Sequence, residues 1–148
     1  MTVQTLFVVK KLSRRIKAEN YKLNRLDDLK YKTSQELDGL PKARNGADLI
    51  AKIVAEICDK TSLISELKII RAQCRIELCK LFEKILSGDN FYFELQTVTY
   101  RYAFDLSFVN IAERLNYSLQ SIYRFHINAL SMLGIDFAEV RAEEEFFC

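Results

Sequence analysis

Apolar residues recur along most of this 148-residue chain at steps of three and four, the period of amphipathic helices. In a first segment, roughly Thr5 to Leu37, Val9, Leu12, Ile16, Leu23 and Leu26 fall on alternating four- and three-residue steps. Glu19 and Lys30 occupy the polar steps of that stripe. A second segment, Ala47 to Ser87, has the clearest period. Ile50, Ile53, Ile57, Lys60, Ile64, Leu67, Arg71, Cys74, Leu78, Leu81 and Ile85 alternate by three and four without a break. Nine of those eleven are apolar, which makes a heptad seam. Lys60 and Arg71 interrupt it, and polar seam residues set register or partner number at some cost in stability. A helix of that length would run about 60 Å.

Glycine and proline punctuate the pattern. Gly39, Gly46, Gly88 and Gly134 all fall at apparent boundaries, and the only proline, Pro41, lies between the first two. The loop Asp38 to Gly46, with Lys42 and Arg44, is expected to be exposed and mobile. It is short enough to join the two long segments as an antiparallel pair. Two helices alone bury little, so the pair is expected to meet a second chain or to fold back on the C-terminal part.

After Gly88 the composition changes: five of the seven tyrosines (Tyr92, Tyr100, Tyr102, Tyr117 and Tyr123) follow it. Asp89 is placed to cap a helix over Phe91 to Phe104, with Leu95, Val98 and Tyr102 turned inward. From Leu106 to Leu133 the pattern predicts two short helices and a tight polar turn. Ser107 caps the first, Phe108 to Leu115, whose stripe is Ile111, Ala112 and Leu115. Asn116, which tolerates a left-handed backbone, marks the turn with Tyr117, and Ser118 caps the second helix. That helix has its apolar stripe at Ile122, Phe125, Ala129, Leu130 and Leu133. This is the pattern of a helix-turn-helix, whose second helix would lie in a DNA major groove. The acidic tail Gly134 to Cys148 reads as a short packed helix or a solvated end. The whole is therefore expected to be all-α: a long antiparallel, coiled-coil-like hairpin over residues 1–87, then a helix-turn-helix with its tail over 88–148.

Composition removes several classes of function. No apolar run approaches the ~20 residues of a membrane span. The basic residues of the opening follow its short apolar patch instead of preceding it, so the start reads as part of the mature fold and not as a secretory signal. Cys58, Cys74, Cys79 and Cys148 include no Cys-x-x-Cys pair, and His126 is the only histidine. Zinc and a disulfide framework are not expected; reduced thiols in a cytosolic protein are. His126 reads as a hydrogen-bonded core residue. There is no Ser/His/Asp set and no phosphate-binding glycine loop, so neither catalysis nor a cofactor is expected.

On the second short helix the buried stripe leaves Leu119, Gln120, Ser121, Arg124 and Asn128 facing outward. Gln pairs with adenine, Arg with guanine, and Leu119 can meet a thymine methyl. Ser118 and Ser121 are candidates for phosphate, and the hydroxyls of Tyr117 and Tyr123 for further contacts. Near the N-terminus Lys10, Lys11, Arg14, Arg15 and Lys17 form a basic cluster that could touch phosphate, although a solvated helix face is the favoured reading of it.

One run of residues resembles a known group. Arg101-Tyr102, Leu106-Ser107, Ile111-Ala112-Glu113-Arg114-Leu115, Asn116-Tyr117-Ser118, Ile122-Tyr123-Arg124 and Ala129-Leu130 follow a basic first helix, a Pro/Gly loop and a heptad helix. The order is similar to the phage-encoded regulators of the ArpU and RinA kind, whose C-terminal part resembles region 4 of bacterial sigma factors. The resemblance implies sequence-specific binding of double-stranded DNA, activation of late phage genes in the bacterial cytoplasm, and neither cofactor nor small-molecule substrate. Two positions depart from it. Asn116 stands where glycine is common, and Ser118-Leu119-Gln120-Ser121 opens the second helix where charged residues are frequent.

Charge qualifies this expectation. Residues 89–148 hold four arginines and no lysine against nine carboxylates, a net −5, whereas residues 1–88 hold 18 cations against 11 carboxylates, a net +7. So few cations imply weak grip on DNA by this part alone. A homodimer, the basic N-terminal helices, or host RNA polymerase would supply the rest. The competing expectation is a protein-interaction module: an adaptor on RNA polymerase or an inhibitor of a host nuclease.

Overall fold

The computed structural model describes residues 1–37 and 44–146, and within them the regular structure is helical throughout, with no strand. Helix α1 is a single turn, Val3–Leu6, capped by Thr2. After a break at Phe7, α2 runs Val8–Leu37, and α3 is the long helix, Arg44–Ile85. Then follow a 3₁₀ turn Asp89–Phe91, α4 Tyr92–Val98, a π-helical turn Thr99–Ala103, α5 Phe108–Leu115, α6 Leu119–Met132 and α7 Phe137–Phe146.

These boundaries correct the sequence reading in three places. Gly46 lies inside α3 instead of before it; one glycine costs a helix about 1 kcal/mol, which a helix of 42 residues absorbs. Asp89 sits within the 3₁₀ turn and caps nothing; Gly88 precedes it, at φ 139°, a backbone closed to side chains. The expected helix Phe91–Phe104 is three pieces of different pitch. The loop residues Asp38 to Ala43, like Phe147 and Cys148, lie outside the described residues.

The chain divides into two compact units, residues 12–70 and residues 1–11 with 71–148. In the first, Ile16, Ile64 and Leu67 are buried together, with Leu12, Leu23 and Leu63 packed against them. The polar step of one stripe meets the polar step of the other. Glu19 accepts from Lys60 at 2.9 Å and from Lys22 at 3.1 Å. Those two hydrogen bonds, Lys60's first, hold the Glu19 carboxyl below the usual carboxylate range. Every seam position from Ile50 to Ile85 is buried or half-buried, so the heptad period marks the covered side of α3 throughout.

The other unit joins the two ends of the chain. Leu6, Phe7 and Val9 share one core with Leu78, Phe82 and Leu86, with Val98 and Tyr102, and with Ala129, Leu130, Leu133, Ile135 and Val140. Sequence punctuation suggests a division after residue 87, but these apolar side chains group the first eleven residues with the last helices. The cause is burial: Leu6, Val9, Phe82, Val98 and Val140 have no exposed surface. We expect Phe7→Ala to lower the unfolding free energy by about 3–5 kcal/mol. Urea unfolding followed by near-UV circular dichroism of the tyrosines measures this.

Candidate nucleic-acid interface

Helices α5 and α6 are set by local side-chain chemistry. Ser107 caps α5 by accepting from the Asn110 amide at 3.2 Å, and Ser118 caps α6 by accepting from the Ser121 amide at 3.2 Å. Between them Asn116 takes the left-handed backbone, φ 55° and ψ 45°. Its amide donates to Glu113 O, and the Tyr117 amide donates to Ala112 O at 3.0 Å, so the last carbonyls of α5 are satisfied. Gly134 closes α6 the same way at φ 68°, with the Ile135 amide donating to Leu130 O. Ile111, Ala112 and Ile122 are buried where α5 and α6 pack, covered by Tyr100, Leu106, Phe108, Leu115 and Phe125.

The π-helical turn positions this pair. Phe104 N–H reaches back to Thr99 O and Leu106 N–H to Tyr100 O, while Asp105 turns the chain at φ 54°. Arg75 of α3 donates to Ala103 O at 2.7 Å and lies over the Phe104 ring. The Arg101 side chain makes three contacts. It donates to Leu106 O at 3.1 Å, pairs with Glu144 of α7 at 2.6 Å, and lies 4.3 Å from the Phe108 ring centroid. Its backbone meanwhile belongs to the π turn. The Arg-Tyr dipeptide is thus structural on both counts, since Tyr102 bonds to His126 Nε2 at 2.7 Å. That histidine is 1% exposed, as a core reading of it requires. Burial first, and Arg101 second, push its imidazole down to about 4, against the opposing pull of Glu144. Burial likewise raises the Tyr102 phenol. At neutral pH α6 therefore carries an uncharged histidine.

The expected site residues separate into two groups. Leu119, Gln120, Tyr123, Arg124 and Asn128 are exposed on α6, and Gln120, Ser121 and Arg124 line a shallow depression. Ser118 and Ser121 are engaged with one another, their hydroxyl oxygens 2.9 Å apart at the cap. Tyr123 packs its ring on Phe108, and Tyr117 joins Phe93 and Phe125 in an aromatic cluster at the turn. One outward residue escaped the sequence reading: Ile127, exposed between Arg124 and Asn128. Its place on the four-residue steps Leu119, Tyr123, Ile127 was the available signal.

No protein-family model, curated protein or solved structure matches this chain.

The face is also chemically uniform in one respect: α6 contains no Asp or Glu over its 14 residues, in a chain with 20 of them. The basic cluster near the N-terminus is more constrained. Lys11 pairs with Glu143 of α7 at 2.8 Å and Lys10 lies over the Phe7 ring, while Arg14 and Arg15 are exposed. The acidic tail thus folds back as α7, anchored by fully buried Val140 and by its glutamates on Lys11 and Arg101. Among the described residues no group of His, Cys, Asp and Glu could hold a metal ion, and no helix is long and apolar enough to cross a membrane.

His126 gives a pH dependence with a defined sign. Its folded-state pKa lies below the ordinary 6.5, so the neutral ring favours folding. That contribution is complete above about pH 6.5 and is lost as the pH falls towards 4. We expect about 2–3 kcal/mol of unfolding free energy to disappear between about pH 7 and 4.5 on this account. Urea titrations at the two pH values measure it, and His126→Gln should flatten that part of the slope.

Proposed function

We propose that the chain is a sequence-specific DNA-binding transcription regulator in which α5, the Asn116 turn and α6 form a helix-turn-helix. On this reading α6 enters the major groove, and Gln120 and Arg124 choose bases. The observation that carries the reading is the outward face of α6. It is a Ser-capped helix without a single carboxylate, presenting an amide, a guanidinium and a second amide (Gln120, Arg124, Asn128) in successive turns. Those groups pair with adenine and guanine edges, and a carboxylate among them would meet phosphate repulsion. The resemblance to ArpU- and RinA-like phage regulators adds the expectation of late-gene activation in the bacterial cytoplasm, beside host RNA polymerase.

Affinity has to come from more than this face. Of the four arginines after residue 88, Arg101 and Arg141 pair with Glu144 and Glu145. Arg124 and Arg114 remain, the latter near the Tyr100 ring. We therefore assign the protein a second grip: two copies on one operator, the α2–α3 helices acting as an antiparallel hairpin beside the DNA, or polymerase itself. Phosphate contact by the exposed Arg15 fits this assignment better than contact by Lys11, which faces Glu143.

The other reading is a protein-interaction module, such as a polymerase adaptor or a nuclease inhibitor. Its specific support is the apolar part of the same face, Leu119, Tyr123 and Ile127. Fluorescence anisotropy on duplexes recovered from a randomised pool separates the two. We expect Gln120→Ala and Arg124→Ala each to lose about 1–3 kcal/mol of discrimination, roughly 5- to 150-fold, with little change on random DNA. Equal affinity for recovered and random duplexes, indifferent to both changes, would leave the protein-interaction reading standing.

A further inference from the structure

Ile127 is an aliphatic β-branched side chain left 46% exposed near the middle of a helix. Neither local nor core energetics explain it. Isoleucine is a poorer helix former than alanine, and an exposed one contributes little to packing. Leu119 and Tyr123, 39% and 43% exposed, precede it by eight and four residues. Each four-residue step turns the direction by about 40°, so this row starts beside the buried stripe and drifts outward. By Ile127 it has reached the sector of Gln120 and Arg124. An apolar group thus stands among the polar groups that the proposed function assigns to base edges.

A major groove offers such a group one apolar partner. Adenine, guanine and cytosine display donors and acceptors there, and thymine alone adds a C5-methyl. We propose that Ile127 reads a thymine methyl, so that the bound sequence contains an A·T pair close to the base contacted by Arg124. The inference rests on the reading of α6 as a groove-reading helix. Spacing agrees with it: three residues advance about 4.5 Å along the helix, against about 3.4 Å per base step. Asn128, next in the chain, suits the adenine of an A·T pair. A protein surface would also accept an isoleucine. It would not ask for the two carboxamides and the guanidinium beside it, nor for the absence of carboxylates from the whole helix.

Deoxyuridine supplies the test, because it removes the methyl and leaves the pairing and the other groove groups in place. In a duplex recovered by selection, each thymine is replaced in turn, and binding of the full chain is read by anisotropy for wild type, Ile127→Val and Ile127→Ala. Ile127 is exposed, so the variants keep the fold, and circular dichroism checks that they do. We expect one replacement to weaken wild type about fourfold, the worth of one buried methyl. Ile127→Val should retain most of that sensitivity, and Ile127→Ala should lose it at that position only. Wild type indifferent to every uracil, or a penalty unchanged in Ile127→Ala, overturns the assignment of Ile127 and leaves DNA binding standing. Recovery of no specific duplex overturns the reading of α6 and this inference together.

Discussion

Helix α6 presents an outward face because its inward face is held, and the hold centres on the hydrogen bond between Tyr102 and His126. Tyr102 belongs to the π-helical turn, packs edge-on against Phe7 from the start of the chain, and reaches His126 on α6. The start of the chain, the π turn and α6, 24 residues beyond that turn, meet at one phenol. Buried polar groups are costly unless paired, so the bond is worth most as a constraint: any rotation of α6 would leave both groups unsatisfied. His126 Nδ1 and Thr97 Oγ1 already find no partner among the described residues. Further loss would fall on a site with little in reserve.

Around that bond, charge is used to lock the fold together. Arg101 ties the turn, the chain entering α5, and α7. Lys11 ties the N-terminal helix to α7. In the other unit Glu19 and Lys60 match the two polar interruptions of otherwise apolar stripes, which specifies one register out of those the heptad period allows. After residue 88, where the chain has four arginines, Arg101 and Arg141 are both paired with glutamates. If α6 binds DNA as proposed, its one outward arginine suits a protein that selects bases locally and draws its affinity from elsewhere.

What could be read from the sequence was local or periodic. The stripes Ile111-Ala112-Leu115 and Ile122-Phe125-Ala129-Leu130-Leu133 lie on covered faces, as do the eleven seam positions of α3. Ser107, Asn116, Ser118 and Gly134 act where they stand, because capping depends on side chains bonding to backbone a few residues away. The features that escaped depend on distant partners. Nothing near Tyr102 announces a π turn; its Ala103 carbonyl is taken by Arg75, 28 residues earlier. Leu6 and Phe7 show no sign in their own neighbourhood that they complete a core with Val140. Acidic residues at the tail look solvated in one dimension and turn out to face Lys11 and Arg101 in three. Ile127 was hidden for another reason: an apolar residue beside an apolar stripe looks like part of it.

Mapping by amide chemical shifts tests most directly the proposal that the outward face of α6 reads DNA. The isotopically labelled chain would be titrated with a duplex recovered from a randomised pool and with a scrambled duplex of equal length. Specific binding through this face predicts the largest specific-minus-scrambled shifts at residues 118–128, centred on Gln120 and Arg124. Shifts that are the same for both duplexes, or that bypass α6, would contradict it.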